Sequence, residues 1–288
     1  MDRSQRWAPD VGSSPLETST KLSEPTLRQR MASTGDVATS SSALVDHPNG
    51  RGIARLRTMW QLFRREREDP APFYRALAAE SAVDLEHRYG LDGTLLLDAG
   101  CGPGWFVEAL RTAGATVVGL DGDPETLTFN DPPPSGLLQG DAGRLPFADE
   151  TFDGVFCSNL LEHARDTGAI FDEMARVLQP GGWGYMSWTN WYSPHGGHDM
   201  SPWHLLGPER GSRLYEKRFG PPLKNRYGEG LFAVHIGPTL RLVHAHPELQ
   251  IESVEPRYWP KLRFICSIPG VRELLTWNCV IRMRKVTP

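Results

Sequence analysis

Residues 95–104 read Leu-Leu-Leu-Asp-Ala-Gly-Cys-Gly-Pro-Gly, and no other stretch restricts the fold as strongly. A short unbroken apolar run suits a strand buried on both faces of a parallel sheet, whereas a half-exposed strand alternates. The run ends in Asp98 and a glycine cluster. Gly100 and Gly102 allow a sharp turn and let a ligand approach the backbone without meeting a Cβ. The same pattern recurs downstream. Thr116–Leu120 reads as a second strand with a helix after Pro124, Gly136–Gln139 as a weak third, and Phe152–Cys157 as a fourth. A helix over Ala169–Leu178 is broken by Gln179-Pro180-Gly181-Gly182, and Trp183–Trp188 is a fifth strand. A helix at Pro238–His246, a strand at Leu249–Glu255, a helix at Val271–Thr276 and a last strand at Trp277–Met283 complete the series. Strand and helix in alternation imply an α/β fold, a Rossmann-like doubly wound and mostly parallel sheet with helices on both faces. Such sheets bind ligands at the carboxyl ends of their strands.

A chain of 288 residues has room for one large domain or two small ones. Residues 1–50 are rich in Ser and Thr, with Trp7 the only aromatic, and read as a disordered tail. Residues 51–90 read as two N-terminal helices that cap the ligand site at that carboxyl edge. The first has Ile53, Leu56, Trp60 and Phe63 on one face amid arginines, and the second carries Phe73, Leu77, Val83 and Leu85. Residues 91–288 read as the main domain, with an insert at 189–237, rich in Gly, Pro, His and aromatics, placed after strand five to fold over the same edge. A net charge of −4 argues against general nucleic-acid binding. No apolar run is long enough to span a membrane, and the N-terminus has no secretory pattern. Cys101, Cys157, Cys266 and Cys279 form no CxxC pair, so a reducing cytoplasmic setting fits.

A dinucleotide turn requires G-x-G-x-x-G, but the third glycine position is Trp105 and the glycine stands one residue earlier, at Gly104. The D-x-G-x-G-x-G pattern instead resembles motif I of the class I S-adenosylmethionine (SAM)-dependent methyltransferases. Val117-Val118-Gly119-Leu120-Asp121, Gln139-Gly140-Asp141-Ala142, Leu145-Pro146-Phe147, Thr151-Phe152-Asp153-Gly154-Val155, Leu161-Glu162-His163 and Leu178-Gln179-Pro180-Gly181-Gly182 follow in that family's order, covering about 91–190. The resemblance implies a sheet of about seven strands with the last antiparallel, and SAM as cofactor. It places Asp121 on the ribose hydroxyls, where a carboxylate offers two acceptors to a diol, and Asp141 on the adenine amine. Asp98, Gly100, Cys101, Gly102, Gly122, Ala142 and Asn159 complete the implied cofactor set. Gly122 departs from relatives that carry a bulky apolar residue there, which leaves one side of the adenine less covered. The flanks narrow the resemblance. Phe63-Arg64-Arg65-Glu66-Arg67-Glu68-Asp69-Pro70, Gly196-Gly197-His198-Asp199-Met200 and Asn225-Arg226-Tyr227-Gly228 are similar to an actinobacterial, mycobacterial-type group without an assigned substrate.

Methyl transfer from a sulfonium needs mainly alignment, but a hydroxyl acceptor must also lose its proton to a His, Asp or Glu. The candidates are His163, after strand four, and His198 with Asp199 in the insert. His195, His198, Asp199 and His204 are metal-ligand types, but their spacing matches no zinc pattern, so no metal is expected. Trp188, Trp191, Tyr192, Trp203 and Tyr215 are equally suited to an acceptor pocket and to core. The expected acceptor is a small or lipid-linked molecule, methylated at oxygen. Peripheral contact with the inner face of a membrane is expected from the basic segment 51–67 and from Tyr258–Ile265, which interleaves aromatics with cations. A nucleic-acid amino-methyltransferase is disfavoured, because Ser158-Asn159-Leu160-Leu161 stands after strand four in place of an Asn-Pro-Pro-aromatic signature. A SAM-fold protein that binds without turnover is the remaining alternative.

Overall fold

The computed structural model describes residues 21–33, 53–66, 68–130, 132–222 and 224–287. The helices are α1 (Glu24–Ser33), α2 (Ile53–Phe63), α3 (Ala71–Tyr89), α4 (Trp105–Thr112), α5 (Pro124–Leu127), α6 (Thr167–Val177), α7 (Pro208–Phe219), α8 (Ile236–His244) and α9 (Val271–Leu275). The strands are β1 (Leu95–Ala99), β2 (Thr116–Asp121), β3 (Leu137–Gln139), β4 (Phe152–Ser158), β5 (Leu178–Thr189), β6 (Leu249–Pro256) and β7 (Asn278–Lys285). They form one seven-stranded sheet of order β3-β2-β1-β4-β5-β7-β6. Strands β1 to β5 pair in parallel, and β7 runs antiparallel to both β5 and β6. The order turns back at β1 and β4, which opens a crevice at their carboxyl ends.

Strand β1 is buried along its whole length, as its unbroken apolar run requires. Leu95 and Leu97 join a core layer with Phe171, Met174 and Val243 of α6 and α8. Leu96 faces the opposite layer, with Leu77 and Leu85 of α3 and Phe106 and Leu110 of α4. A sheet covered on both faces leaves its strand ends as the accessible backbone, and that geometry places the site.

Over residues 21–33 the structure departs from the reading of residues 1–50 as a disordered tail. Leu22 N–H donates to the Pro146 carbonyl at 2.9 Å, and Ala148 N–H donates to the Leu22 carbonyl at 2.8 Å. Leu27 and Met31 of α1 are buried in the core, and Arg28 pairs with Asp153 at 3.5 Å. Two apolar anchors among eight polar or small residues give the segment little apolar content of its own, so its order comes from docking. Residues 1–20 and 34–52 lie outside the described residues.

The face expected for α2 also shifts. Met59 is buried and Leu62 and Phe63 pack beside it, while Trp60 is half exposed; the Ile53 and Leu56 side chains lie outside the described residues. In α3, Phe73, Leu77 and Leu85 are buried as expected and Val83 is exposed. Strand β5 begins at Leu178 rather than Trp183, because Gln179-Pro180-Gly181-Gly182 ends the helix and then continues within the strand. All four cysteines are buried and free.

Candidate functional site

The glycine turn after β1 is built as its sequence demands. Gly100, Gly102 and Gly104 have φ of +77°, +53° and +89°, a region that L side chains rarely enter. A Cβ on Gly100 would come within 3.0 Å of the Leu160 side chain, and one on Gly104 within 2.9 Å of Pro134. At Gly102 only Thr126 lies within 4 Å, at 3.7 Å, so there the backbone conformation and the open space above it matter. Gly102 N–H donates to Asp121 Oδ2 at 2.8 Å, and Asp123 N–H donates to Oδ1 at 2.9 Å. The Asp121 carboxylate is thus fixed at the end of β2 by backbone donors. Each oxygen keeps a lone pair for a further donor. Asp123 caps α5 through Glu125 N–H at 3.0 Å and Thr126 Oγ1 at 2.6 Å; those bonds, the threonine's first, hold its carboxyl below the usual range.

Asp98 is fully buried beside this turn, and its Oδ2 has no hydrogen-bond partner. Burial, and then the neighbouring Asp121 carboxylate, push its carboxyl well above the usual range. Cys101 lies under the turn, and burial pushes its thiol up, so it is a packed sulfur and not a nucleophile. Gly122 is exposed and has nothing nearer to its Cβ position than the Gly140 carbonyl at 3.7 Å. Exposed Asp141 accepts Gly143 N–H on Oδ1 at 2.8 Å, which leaves Oδ2 at the rim, and Ala142 is half buried against the core. Asn159 takes a φ of +57° directly after β4, and its Oδ1 accepts from Asn278 Nδ2 at 2.8 Å. A glycine turn with open space at Gly102, a fixed carboxylate and an orphaned buried oxygen fit a ligand that carries both a diol and an ammonium group.

The second half of the site lies beyond β4, in a 3-10 turn at Leu161–His163. Glu162 is buried; its Oε1 accepts Thr189 N–H at 2.9 Å and its Oε2 has no partner. Burial pushes this carboxyl up, with the His163 imidazole opposing it. His163 Nδ1 lies 2.7 Å from the Gly230 carbonyl. A carbonyl only accepts, so Nδ1 is the donor, and in the neutral ring Nε2 carries the lone pair. His198 comes from the insert, at a φ of +46°, and its ring meets that of His163 edge-on at 5.1 Å. Burial first, and then His163, push its imidazole down to about 4, so it is neutral at physiological pH. One ligand-type atom from each of Glu162, His163 and His198 lies within 4.8 Å of the others.

The other insert residues diverge. Asp199 makes no hydrogen bond or ion pair among the described residues, while its neighbour His198 packs against His163. His195 packs edge-on against Phe63 at 4.3 Å, tying the insert to α2. His204 is buried with Nε2 3.0 Å from the Ser193 carbonyl, which locks the loop. Trp188 and Trp191 are core residues, the latter packed with Met200 and Leu231. Tyr74 of α3 stacks on Trp105, the residue that opens α4, with ring centres 5.4 Å apart. Sequence reasoning passed over Glu162, although its motif was visible, because its burial depends on Thr189 and the insert. It also missed Arg257, buried between Ser158, Ser187 and Ser81 at 2.8, 3.0 and 3.0 Å, which braces the ends of β4 and β5. A lone arginine after β6 carries no local signal of that role.

A doubly wound sheet with a glycine turn after β1 and an acid ending β2 defines a Rossmann-like protein that holds a nucleoside-bearing ligand at its carboxyl edge. Residues 97–186 match a methyltransferase domain family. The chain is 37% identical over 240 residues to an uncharacterised methyltransferase of Mycobacterium marinum, covering 80% of this chain and 93% of that one. It is 38% identical over 230 residues to one of Mycobacterium tuberculosis, covering 76% and 90%. The fold is shared with an S-adenosylmethionine-dependent methyltransferase of Mesorhizobium loti at a TM-score of 0.52 and 22% identity, over 73% of this chain and 98% of that one. The chain belongs to the methyltransferase family, and that membership implies S-adenosylmethionine as the methyl donor.

Proposed function

We propose that this enzyme methylates a hydroxyl oxygen on a small or lipid-linked, partly apolar acceptor. The observation that carries the reading is the Glu162, His163 and His198 cluster at the carboxyl edge of β4, one residue from the Leu160 side chain that abuts Gly100. Bound SAM supplies a methyl group already activated as a sulfonium. Asp121 accepts the ribose hydroxyls, the Asp98 carboxyl faces the amino-acid end, and Asp141 takes the adenine amine at the rim. Gly100, Cys101, Gly102, Gly122, Ala142 and Asn159 shape the turn around it. The acceptor gains a methyl group and must lose one proton, and the cluster is where that proton is handled. Asp199 falls outside the cluster and has no part in this step.

The apolar character of the acceptor is supported by exposed side chains near the insert. Leu262, Phe264, Ile268, Val271, Leu274 and Leu275 are all exposed across the 3-10 segment Pro260–Ser267 and α9, with exposed Lys261 and Arg263 among them. Arg55 of α2 donates to the Tyr258 carbonyl at 3.1 Å, and α2 with the turn after it also exposes Trp60, Arg57, Arg64 and Arg65. Apolar and cationic side chains together suit an anionic membrane surface. Among the described residues no helix is long and apolar enough to cross a membrane. The test is incubation with methyl-labelled SAM and host-cell extract fractionated into lipid, polar and macromolecular pools. Label in a base-stable ether of the lipid pool is the expected result, and label confined to nucleic acid or protein overturns it.

A further inference from the structure

The Glu162, His163 and His198 cluster has spare donor atoms that general-base chemistry alone does not use. Glu162 presents a buried Oε2 with no partner, and an unpaired carboxylate oxygen away from water is costly. His163 has its Nδ1–H committed to the Gly230 carbonyl at 2.7 Å. That is the arrangement by which metal-bound imidazoles are oriented and their other nitrogen kept free. His198 presents a buried Nδ1 that also lacks a partner, on a backbone held at a φ of +46°. A non-glycine residue in that region persists only where its surroundings fix it, and such strain gathers at functional sites. Thr189, Gly230 and the insert thus fix three ligand-type side chains at one point.

We propose that Glu162, His163 and His198 bind one divalent transition-metal cation that ligates the acceptor oxygen. Two imidazoles and one carboxylate form the donor set of open zinc and iron(II) sites, which keep positions for water or substrate. The donor atoms lie within 4.8 Å of one another, against roughly 3.4 Å between ligands of a tetrahedral ion, so at most small side-chain movements close the site on a cation. The role of the ion rests on the hydroxyl-acceptor reading above: an oxygen bound to the cation loses its proton to solvent near neutral pH and keeps its electron pair for the bond to carbon. The insert then contributes a ligand as well as a cover.

The test uses the full chain, stripped with a chelator and titrated with zinc by calorimetry and with cobalt(II) by visible absorption. One equivalent is expected to bind, with a cobalt spectrum of nitrogen and oxygen ligation. Glu162→Gln, which keeps an acceptor for Thr189 N–H, and His198→Asn, whose side chain tolerates positive φ, are each expected to weaken binding by about tenfold or more. Both are expected to keep the wild-type circular dichroism and SAM affinity. No bound equivalent, or wild-type metal affinity in both variants, overturns the site. Equal labelling of the lipid pool by stripped and reloaded enzyme overturns the metal's role and leaves the acceptor reading intact. Metal binding that both variants lose, with no labelled hydroxyl product, sustains the site and overturns the acceptor reading.

Discussion

Asp121 and Gly102 show how little side-chain chemistry the cofactor edge needs. The carboxylate is fixed by two backbone N–H groups, and a charged hydrogen bond of this kind contributes about 1.5–3 kcal/mol. Asp121→Ala is therefore expected to weaken SAM roughly 10–150-fold in a folded protein, measured by calorimetry. Gly102→Asp should abolish measurable binding by setting a second negative charge where the first is already fixed; unchanged affinity would move the site. Asp98 gives a different signal, because its carboxyl is buried with an oxygen unpaired. A raised carboxyl binds its proton in the folded state when the unfolded chain has already released it. Its stability contribution is thus intact below the unfolded value near 3.8 and is lost as pH rises through the folded value. Asp98→Asn removes that titration. The variant should gain stability relative to wild type as pH rises from 4 to 8 in thermal melts, while binding SAM more weakly.

At the scale of elements, α1 and the insert carry the contrasts. Removing a buried Leu or Met side chain costs about 2–5 kcal/mol. Leu27→Ala with Met31→Ala should lower the melting temperature by several degrees, and a double variant melting with wild type would show that α1 does not dock in solution. Met31 sits where Gly136 leaves room: a Cβ there would come within 2.7 Å of its methyl group and sulfur. That contact joins residues about a hundred apart, and no local pattern announces it. The insert is similar. Its histidines look alike in sequence, yet His195 packs on Phe63, His204 bonds to Ser193, and only His198 reaches His163. Their separate roles come from where the loop folds back.

For the whole molecule, the exposed apolar face of Pro260–Ser267 and α9 bears on where the acceptor is met. Each Lys or Arg near an anionic bilayer adds about 1 kcal/mol. Sedimentation with anionic vesicles at low salt should pellet the protein, neutral vesicles should not, and Phe264→Ser with Leu274→Ser should reduce the pelleted fraction. Protein left in the supernatant at low salt would favour a soluble acceptor.

The alternating series of strands and helices, the glycine turn and the acids near it were legible in the sequence because they obey short-range rules. An apolar run of three residues with glycines behind it has few other solutions, and the β2 acid follows the second strand at a fixed remove. The reaction class was legible through the resemblance of the ordered motifs to a known family. Tertiary structure decided three things: that α1 docks, that His198 rather than Asp199 faces His163, and that Glu162 is buried with an oxygen to spare. Each depends on contacts between segments far apart in the chain, where burial, not local preference, sets both the energy of a side chain and its chemistry.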